Sequence, residues 1–322
     1  MNGNNTPLLT VKNLKKYFST KKGLLHAVDD VSFTIKQGNT LGVVGESGCG
    51  KSTLGKSILR LVEPTDGEIW LEDTNIVKLS KPELRKMRMK MQMIFQDPYS
   101  SLDSRLNVAQ LIADPLYVNK ICKNKKEIDE QVDAMMEIVG LAPRLKNAYP
   151  HELDGGRRQR IGIARALVLN PKFIVCDEPV SALDVSIQAQ ILNILMDLKE
   201  SRKLTYIFIT HDLSVVKHIS DDIAVMYLGQ CVEMASSSTL FKNPYHPYTK
   251  ALLSAIPVPN LSKRNVKPTI IRGEVGNPIN PVPGCRFANR CDYACDKCIG
   301  ADIPLREVEQ GHYVACARLA EI

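Results

Sequence analysis

Between the apolar run Thr40 to Val44 and a segment with apolar residues at helical spacing (Leu54, Ile58, Leu61) stands Gly45-Glu-Ser-Gly-Cys-Gly50-Lys51-Ser52, a fit to G-x-x-x-x-G-K-[ST]. A strand, a glycine-rich turn and a helix in that order constrain the fold more than anything else in the chain. Glycines let successive backbone N–H groups turn inward without Cβ atoms in the way, and the helix start adds the positive end of its dipole. Gly45, Ser47, Gly48, Cys49, Gly50, Lys51, Ser52 and Thr53 are therefore expected to hold a nucleotide's phosphates. In such a loop the lysine, Lys51, reaches the β- and γ-phosphates and the hydroxyl of Ser52 goes to Mg2+.

The surrounding pattern predicts an α/β fold. Leu8 to Val11 and Ala27 to Ile35 alternate apolar and polar residues as half-buried strands do, and Phe173 to Cys176, Tyr206 to Ile209 and Ile223 to Tyr227 are strand-like. From about Pro98 to Leu169 the pattern is mostly helical. Ile128, Val132, Met135, Met136 and Val139 form one packing stripe, and Gly140 is a stop. Strands alternating with helices imply a largely parallel sheet. Past Ala251 the texture changes: Pro257, Pro259, Pro268, Pro278, Pro281 and Pro283 punctuate a segment of low helix potential. The expected division is 1–235 for the nucleotide domain, with a helical part at about 97–169, and 236–322 for an extension with its own small fold.

At 322 residues, with 44% hydrophobic and 24% charged residues, the chain has the composition of an ordinary globular protein. It lacks an apolar stretch of the roughly 20 residues that a membrane helix needs. Met1 to Leu14 has no apolar core beside a cleavage site, so no secretory signal is expected. The net charge of +7 is spread along the chain, and its densest run, Lys120 to Lys126, is expected to be solvated rather than to bind nucleic acid. Of nine cysteines, Cys49, Cys122, Cys176 and Cys231 are scattered, whereas Cys285, Cys291, Cys295, Cys298 and Cys316 crowd the end of the chain. In a cytosolic protein such crowding points to metal or redox chemistry more than to disulfides.

Phe173-Ile-Val-Cys-Asp177-Glu178 is an apolar strand ending in two carboxylates. Burying a charge costs several kcal/mol unless it is compensated, and Mg2+ beside Asp177 would compensate it. Glu178 is then placed to polarise the water that attacks a γ-phosphate. With Gln96 in Ile94-Phe-Gln-Asp-Pro-Tyr99, Leu153-Asp-Gly-Gly-Arg157, Ser181 to Asp184, and His211 in Ile209-Thr-His-Asp212, the chain resembles the ABC transporter ATPases from about Phe18 to His211. The resemblance implies a RecA-like core with a mostly parallel sheet, an antiparallel β subdomain and a helical subdomain. It makes Gln96 the Q-loop residue touching Mg2+ or water, His211 the switch histidine on the γ-phosphate, and Phe18 the adenine-stacking aromatic, with Tyr17 as the alternative. The resemblance also implies that Asp154, Gly155, Gly156 and Asp184 act in trans, on the nucleotide of a partner ATPase.

One motif departs from the family, which reads Leu-Ser-Gly-Gly-Gln where this chain has Leu153-Asp-Gly-Gly-Arg157. A serine hydroxyl donates to a phosphate; the carboxylate of Asp154 sets charge against charge unless Arg157 offsets it. The expectation is a heterodimer with a second, non-identical ATPase. The site built on Lys51 and Glu178 would be the competent one, and the site completed by Asp154 would be impaired.

His246-Pro-Tyr-Thr249, Ala251 to Pro257 and Gly284-Cys285-Arg-Phe-Ala-Asn-Arg-Cys291 resemble the C-terminal extension of peptide-importer ATPases, including dipeptide, oligopeptide and nickel permeases. The whole looks like the second, F-type ATPase of a dipeptide/oligopeptide importer. That implies a peripheral place on the cytoplasmic face of the membrane, ATP and Mg2+, two transmembrane permease subunits and, indirectly, an external solute-binding protein. Cys285, Cys291, Cys298 and Cys316 could bind a [4Fe–4S] cluster or zinc. Spacing does not choose between them, the resemblance suggests iron–sulfur, and Cys295 is an extra candidate. The alternatives are a nickel or other small-solute importer and a soluble non-transport ABC ATPase. Intact Lys51, Asp177, Glu178 and His211 speak against a non-hydrolysing regulatory subunit.

Overall fold

The computed structural model describes residues 7–256, 271 and 273–319. Pro257, Pro259 and Pro268 of the proline-rich segment, and the first six residues of the chain, lie outside them. In chain order the strands are β1 (Pro7–Thr20), β2 (Gly23–Lys36), β3 (Thr40–Val44), β4 (Asp66–Leu71), β5 (Thr74–Asn75) and β6 (Met91–Ile94). They continue with β7 (Phe173–Asp177), β8 (Thr205–Ile209), β9 (Asp222–Tyr227), β10 (Gln230–Ser236), β11 (Arg306–Glu309) and β12 (His312–Val314). The helices are α1 (Lys51–Ile58), α2 (Lys81–Met87), α3 (Val108–Asn119), α4 (Lys125–Ile138) and α5 (Gly155–Leu167), then α6 (Val185–Arg202), α7 (Leu213–Ile219), α8 (Ser237–Lys242) and α9 (Pro247–Ser254). The chain parts into two compact units, and the strand β8 runs from the first into the second.

The first unit comprises Lys36–Gly38 and Lys78–Ile207. Here β6 and β7 pair in parallel, from Met91 opposite Phe173 to Ile94 opposite Cys176. All five residues of β7 are buried, which is why its sequence is unbrokenly apolar up to Asp177. The long helical stretch resolves into α3, α4 and α5. The α4 stripe of Ile128, Val132, Met135 and Met136 is buried, each side chain contributing ~1.5–3 kcal/mol by leaving water. Asn124 caps that helix by accepting from Glu127 N at 2.9 Å, and Gly140 beyond its end takes φ 68°.

The second unit comprises Pro7–Ile35, Asn39–Val77 and the chain from Phe208 onward. One sheet is antiparallel, in the order β2-β1-β4-β5. In the other, β3 pairs in parallel with β9, and β10, β12 and β11 follow in antiparallel succession. The parallel pairs, the antiparallel sheet and the helical stretch are the parts expected of an ABC-type α/β fold.

β12 adds to the edge of β10, and Tyr248 and Phe287 share a buried cluster with Val225, Tyr227 and Val232. Glu233, fully buried on β10, accepts from Tyr245 N at 2.7 Å and His246 N at 3.0 Å and pairs with His312 Nε2 at 2.8 Å. A buried carboxylate is tolerated only when so paired, and these pairings tie the extension to the sheet.

Candidate functional site

In the second unit the apolar β3 delivers the chain into the phosphate loop. Gly45 has φ 150° and Gly50 φ 105°. A Cβ on either would come within 2.2 Å of Met226 O or 2.0 Å of Ala27 O, so only glycine fits at both. Gly50 is the N-cap of α1 and offers no side-chain cap, and a helix N-terminus of this kind favours an anion. The buried Lys51 bends back over the loop, donating from Nζ to Gly45 O at 2.8 Å and Glu46 O at 2.9 Å. Ser47 and Gly48 are exposed at the crest, and Ser52 and Thr53 are half-buried on the first turn of α1. Burial pushes the Cys49 thiol up, so it stays protonated and acts as packing.

The aromatic pair at the end of β1 is divided in its roles. Tyr17 stacks on His26 with ring centroids 4.0 Å apart and donates its hydroxyl to Asp29. Phe18 keeps 36% of its surface exposed, with Lys16 Nζ 4.7 Å from the ring centre. Of the two, Phe18 is the one whose ring stacks on no other described aromatic. His211, exposed, follows β8 on a segment fixed by Thr210 N donating to Val43 O at 3.2 Å. Asp212 then caps α7, accepting from Ser214 N at 2.8 Å.

The first unit carries the acidic end of the chemistry. Asp177 is 2% exposed at the end of β7. Glu178, half-buried, has φ 45° and accepts from Gln96 Nε2 at 3.1 Å. Two residues 82 positions apart in sequence, expected to serve one reaction, therefore meet. Asp154 is the N-cap of α5: its Oδ1 accepts from Arg157 N at 2.8 Å and its Oδ2 lies 3.5 Å from Arg157 Nε. Gly155 and Gly156 open that helix, and a Cβ on Gly156 would come within 2.7 Å of Ile187 Cγ2, so this glycine also permits close packing on α6. Asp184, exposed, is the N-cap residue of α6.

The extension reaches the phosphate loop, a relation sequence reading missed. Arg290 Nη1 donates to Glu46 Oε2 at 2.8 Å, and the hydroxyl of the fully buried Tyr248 accepts from Glu46 N at 2.9 Å. Arg286 pairs with Asp29 and donates to Leu228 O. Both arginines stand in the quoted run Cys285 to Cys291, but nothing local signals partners more than 240 residues away.

The thiols of the extension, from Cys285 to Cys316, gather without forming a cage. Cys285 N donates to Cys298 O at 2.8 Å, and Cys295 Sγ lies 3.9 Å from Cys298 Sγ. Burial pushes the Cys285 thiol up to about 11, and Cys298, Cys291 and Cys316 push it the same way. Among the described residues, no group of three or more His, Cys, Asp or Glu side chains is arranged to hold a metal ion.

Two family profiles match the chain: ABC transporter over residues 28–181, and oligopeptide/dipeptide transporter, C-terminal region, over 232–298. The chain is 49% identical over 310 residues to the oligopeptide transport ATP-binding protein OppF of Haemophilus influenzae, covering 96% of this chain and 93% of that one. It is 50% identical over 312 residues to YkfD of Bacillus subtilis, which carries the name of an oligopeptide transport ATP-binding protein, covering 96% and 95%. Among solved structures it resembles the dimeric, ADP- and phosphate-bound ATP-binding cassette MJ0796 (TM-score 0.66, 29% identity, 71% of this chain and 98% of that one). It also resembles cbiO1 of Clostridium perfringens, part of the transporter complex cbiONQ (TM-score 0.66, 28% identity, 74% and 92%).

Proposed function

Since the chain belongs to the oligopeptide/dipeptide-importer family of ABC transporter ATP-binding proteins, we propose that it hydrolyses ATP to drive peptide import, working opposite a second, non-identical ATPase subunit. The observation that carries the reading is the joining, on one chain, of a complete phosphate loop with an extension matched to oligopeptide/dipeptide transporters.

Each residue has a chemical task. The backbone N–H groups from Gly45 to Thr53 cradle the phosphates, and Lys51 exchanges its two loop carbonyls for β- and γ-oxygens. Phe18 stacks on adenine. The donor set of Ser52, Gln96 and Asp177, all hard oxygens, suits Mg2+. Mg2+ held there would supply positive charge to offset that of the phosphates. Glu178 orients the attacking water and takes its proton, with Gln96 holding the carboxylate from one side. His211 holds the γ-phosphate.

Asp154, Gly155, Gly156 and Asp184 act on the partner's nucleotide. Pairing between Asp154 and Arg157 moderates the negative charge there without removing it, which supports slower turnover in the partner's site. The permease subunits, working with an external solute-binding protein, engage the helical part around Gln96, and the subunit sits on the cytoplasmic face of the membrane. Among the described residues no helix is long and apolar enough to cross a membrane.

Cys285, Cys291, Cys298 and Cys316 would be the thiolates to hold an iron–sulfur cluster, or zinc, in a structural role, although the described thiols are not arranged around a metal position. Iron and zinc both absent from anaerobically purified protein would remove that part.

Uptake of labelled di- and oligopeptides by cells carrying the chain with its permease tests the whole reading. Lys51→Ala should abolish uptake; unchanged uptake, or loss of nickel uptake instead, would overturn the peptide assignment.

A further inference from the structure

Three separate groups of Glu46, the first residue inside the phosphate loop's glycine frame, are held at once. Its carboxylate takes Arg290 Nη1 at 2.8 Å, its N–H donates to the Tyr248 hydroxyl at 2.9 Å, and its carbonyl accepts from Lys51 Nζ at 2.9 Å. The first two partners come from the extension, 244 and 202 positions away.

Both are well anchored. Tyr248 is fully buried, with its ring 4.8 Å from that of Tyr227 and 5.3 Å from that of Phe287. The Arg290 side chain is 8% exposed and also donates to Tyr227 OH at 3.3 Å. Four residues earlier, Arg286 pairs with Asp29, the same carboxylate that accepts from Tyr17. One short segment thus supports both the phosphate loop and the strand pair that carries Phe18.

Resting on the nucleotide-binding reading above, we infer that Arg290 and Tyr248 are positioning residues of the ATP site, so that the extension sets this subunit's affinity for nucleotide. The physical basis is preorganisation. With its N–H committed to Tyr248 and its carboxylate to Arg290, Glu46 has one orientation, and the following N–H groups are fixed before the phosphates arrive. A loop that must order itself on binding has its affinity scaled down by the fraction of time it is competent. The contact is a charge-assisted hydrogen bond whose arginine is buried and whose carboxylate is partly so, which makes it worth more than a fully exposed pair.

The test is Mg-ATP binding by the purified full-length chain, measured calorimetrically for wild type, Lys51→Ala, Arg290→Gln, Arg290→Lys, Glu46→Gln and the Arg290→Gln/Glu46→Gln double variant. Arg290→Gln and Glu46→Gln should each weaken binding about 5- to 20-fold, a part of the worth of a charge-assisted hydrogen bond because only the loop's preorganisation is lost. Arg290→Lys should recover part of the loss. The double variant should be no weaker than the worse single one, a non-additivity that general loosening of the fold would not produce. Affinities within about 2-fold of wild type in Arg290→Gln, where 1.4 kcal/mol is tenfold, would overturn the inference. Should Arg290→Gln fail to fold, Glu46→Gln reads the same contact from the loop side, and unchanged binding there overturns it equally. A wild-type chain that binds no ATP, or a Lys51→Ala variant that binds as well, would instead sink the nucleotide-site reading itself.

Discussion

Glu178 holds φ 45°, a left-handed backbone conformation that a residue with a Cβ adopts at a cost of about 1–2 kcal/mol. The turn after β7 keeps it there, with Ser181 N donating to Glu178 O at 3.3 Å, and so fixes the carboxylate against Gln96 rather than leaving it to a flexible loop. Asp154 is the residue where charge and structure compete. Its carboxylate is a good helix cap but a poor neighbour for phosphate. Asp154→Ala should lower the stability of α5 by ~1 kcal/mol, whereas Asp154→Ser, an equally good cap, should leave thermal unfolding unchanged. In a reconstituted heterodimer, Asp154→Ser should raise turnover at the site this chain completes for its partner; equal turnover before and after would contradict the proposed asymmetry. At this scale the motif residues were legible because their spacing and order carry chemistry. The pairing of Asp154 with Arg157 was legible too, since residues three apart on a helix start face one another. Arg290 was not, because its meaning lies in Glu46, 244 positions away, and the arginines between Cys285 and Cys291 have no local pattern of their own.

Among the elements, α9 shows how the extension is held. His246 is buried at its N-cap, where Nδ1 accepts from Tyr248 N at 3.1 Å and the ring lies 5.9 Å from that of Phe287. Burial lowers its pKa to about 3, so the ring is neutral in the folded chain. An unfolded histidine titrates near 6.5, so below that pH the unfolded state binds the extra proton and stability falls, down to the folded value near 3. Between pH 6.5 and 5 this group alone should remove ~2 kcal/mol. Chemical denaturation of wild type and His246→Asn at pH 7 and pH 5 checks it: the variant, whose side chain can still accept from Tyr248 N, should lose less stability on acidification. An equal loss in both would mean His246 is not the group responsible.

Elements with strong local patterns, such as β3, β7 and α4, were readable, being continuous apolar runs or a clean helical stripe. β6 (Met91–Ile94) has four residues and no β-branching until its last, and β12 has three, so neither offers a period to count. Those short strands are made by pairing with β7 and β10, a tertiary effect that sequence alone does not display.

At the scale of the whole molecule, one chain joins a phosphate loop, an acidic strand end and an extension matched to oligopeptide/dipeptide transporters. In the proposed function, Lys51 and Glu178 serve the chain's own nucleotide, while Asp154 and Asp184 serve a partner's. The two-unit division was not legible, because the chain enters and leaves each unit more than once, and composition marks only the proline-rich change near residue 257. The measurement that tests the central claim most directly is Mg2+-dependent ATP turnover by this chain alone, by its Glu178→Gln variant, and by each mixed with the candidate partner ATPase. The account predicts low turnover alone, a rise with the partner, and loss of at least about a hundredfold with Glu178→Gln while ATP still binds, the scale expected for removing a general base. Strong turnover by the chain alone that neither the partner nor Glu178→Gln alters would contradict it.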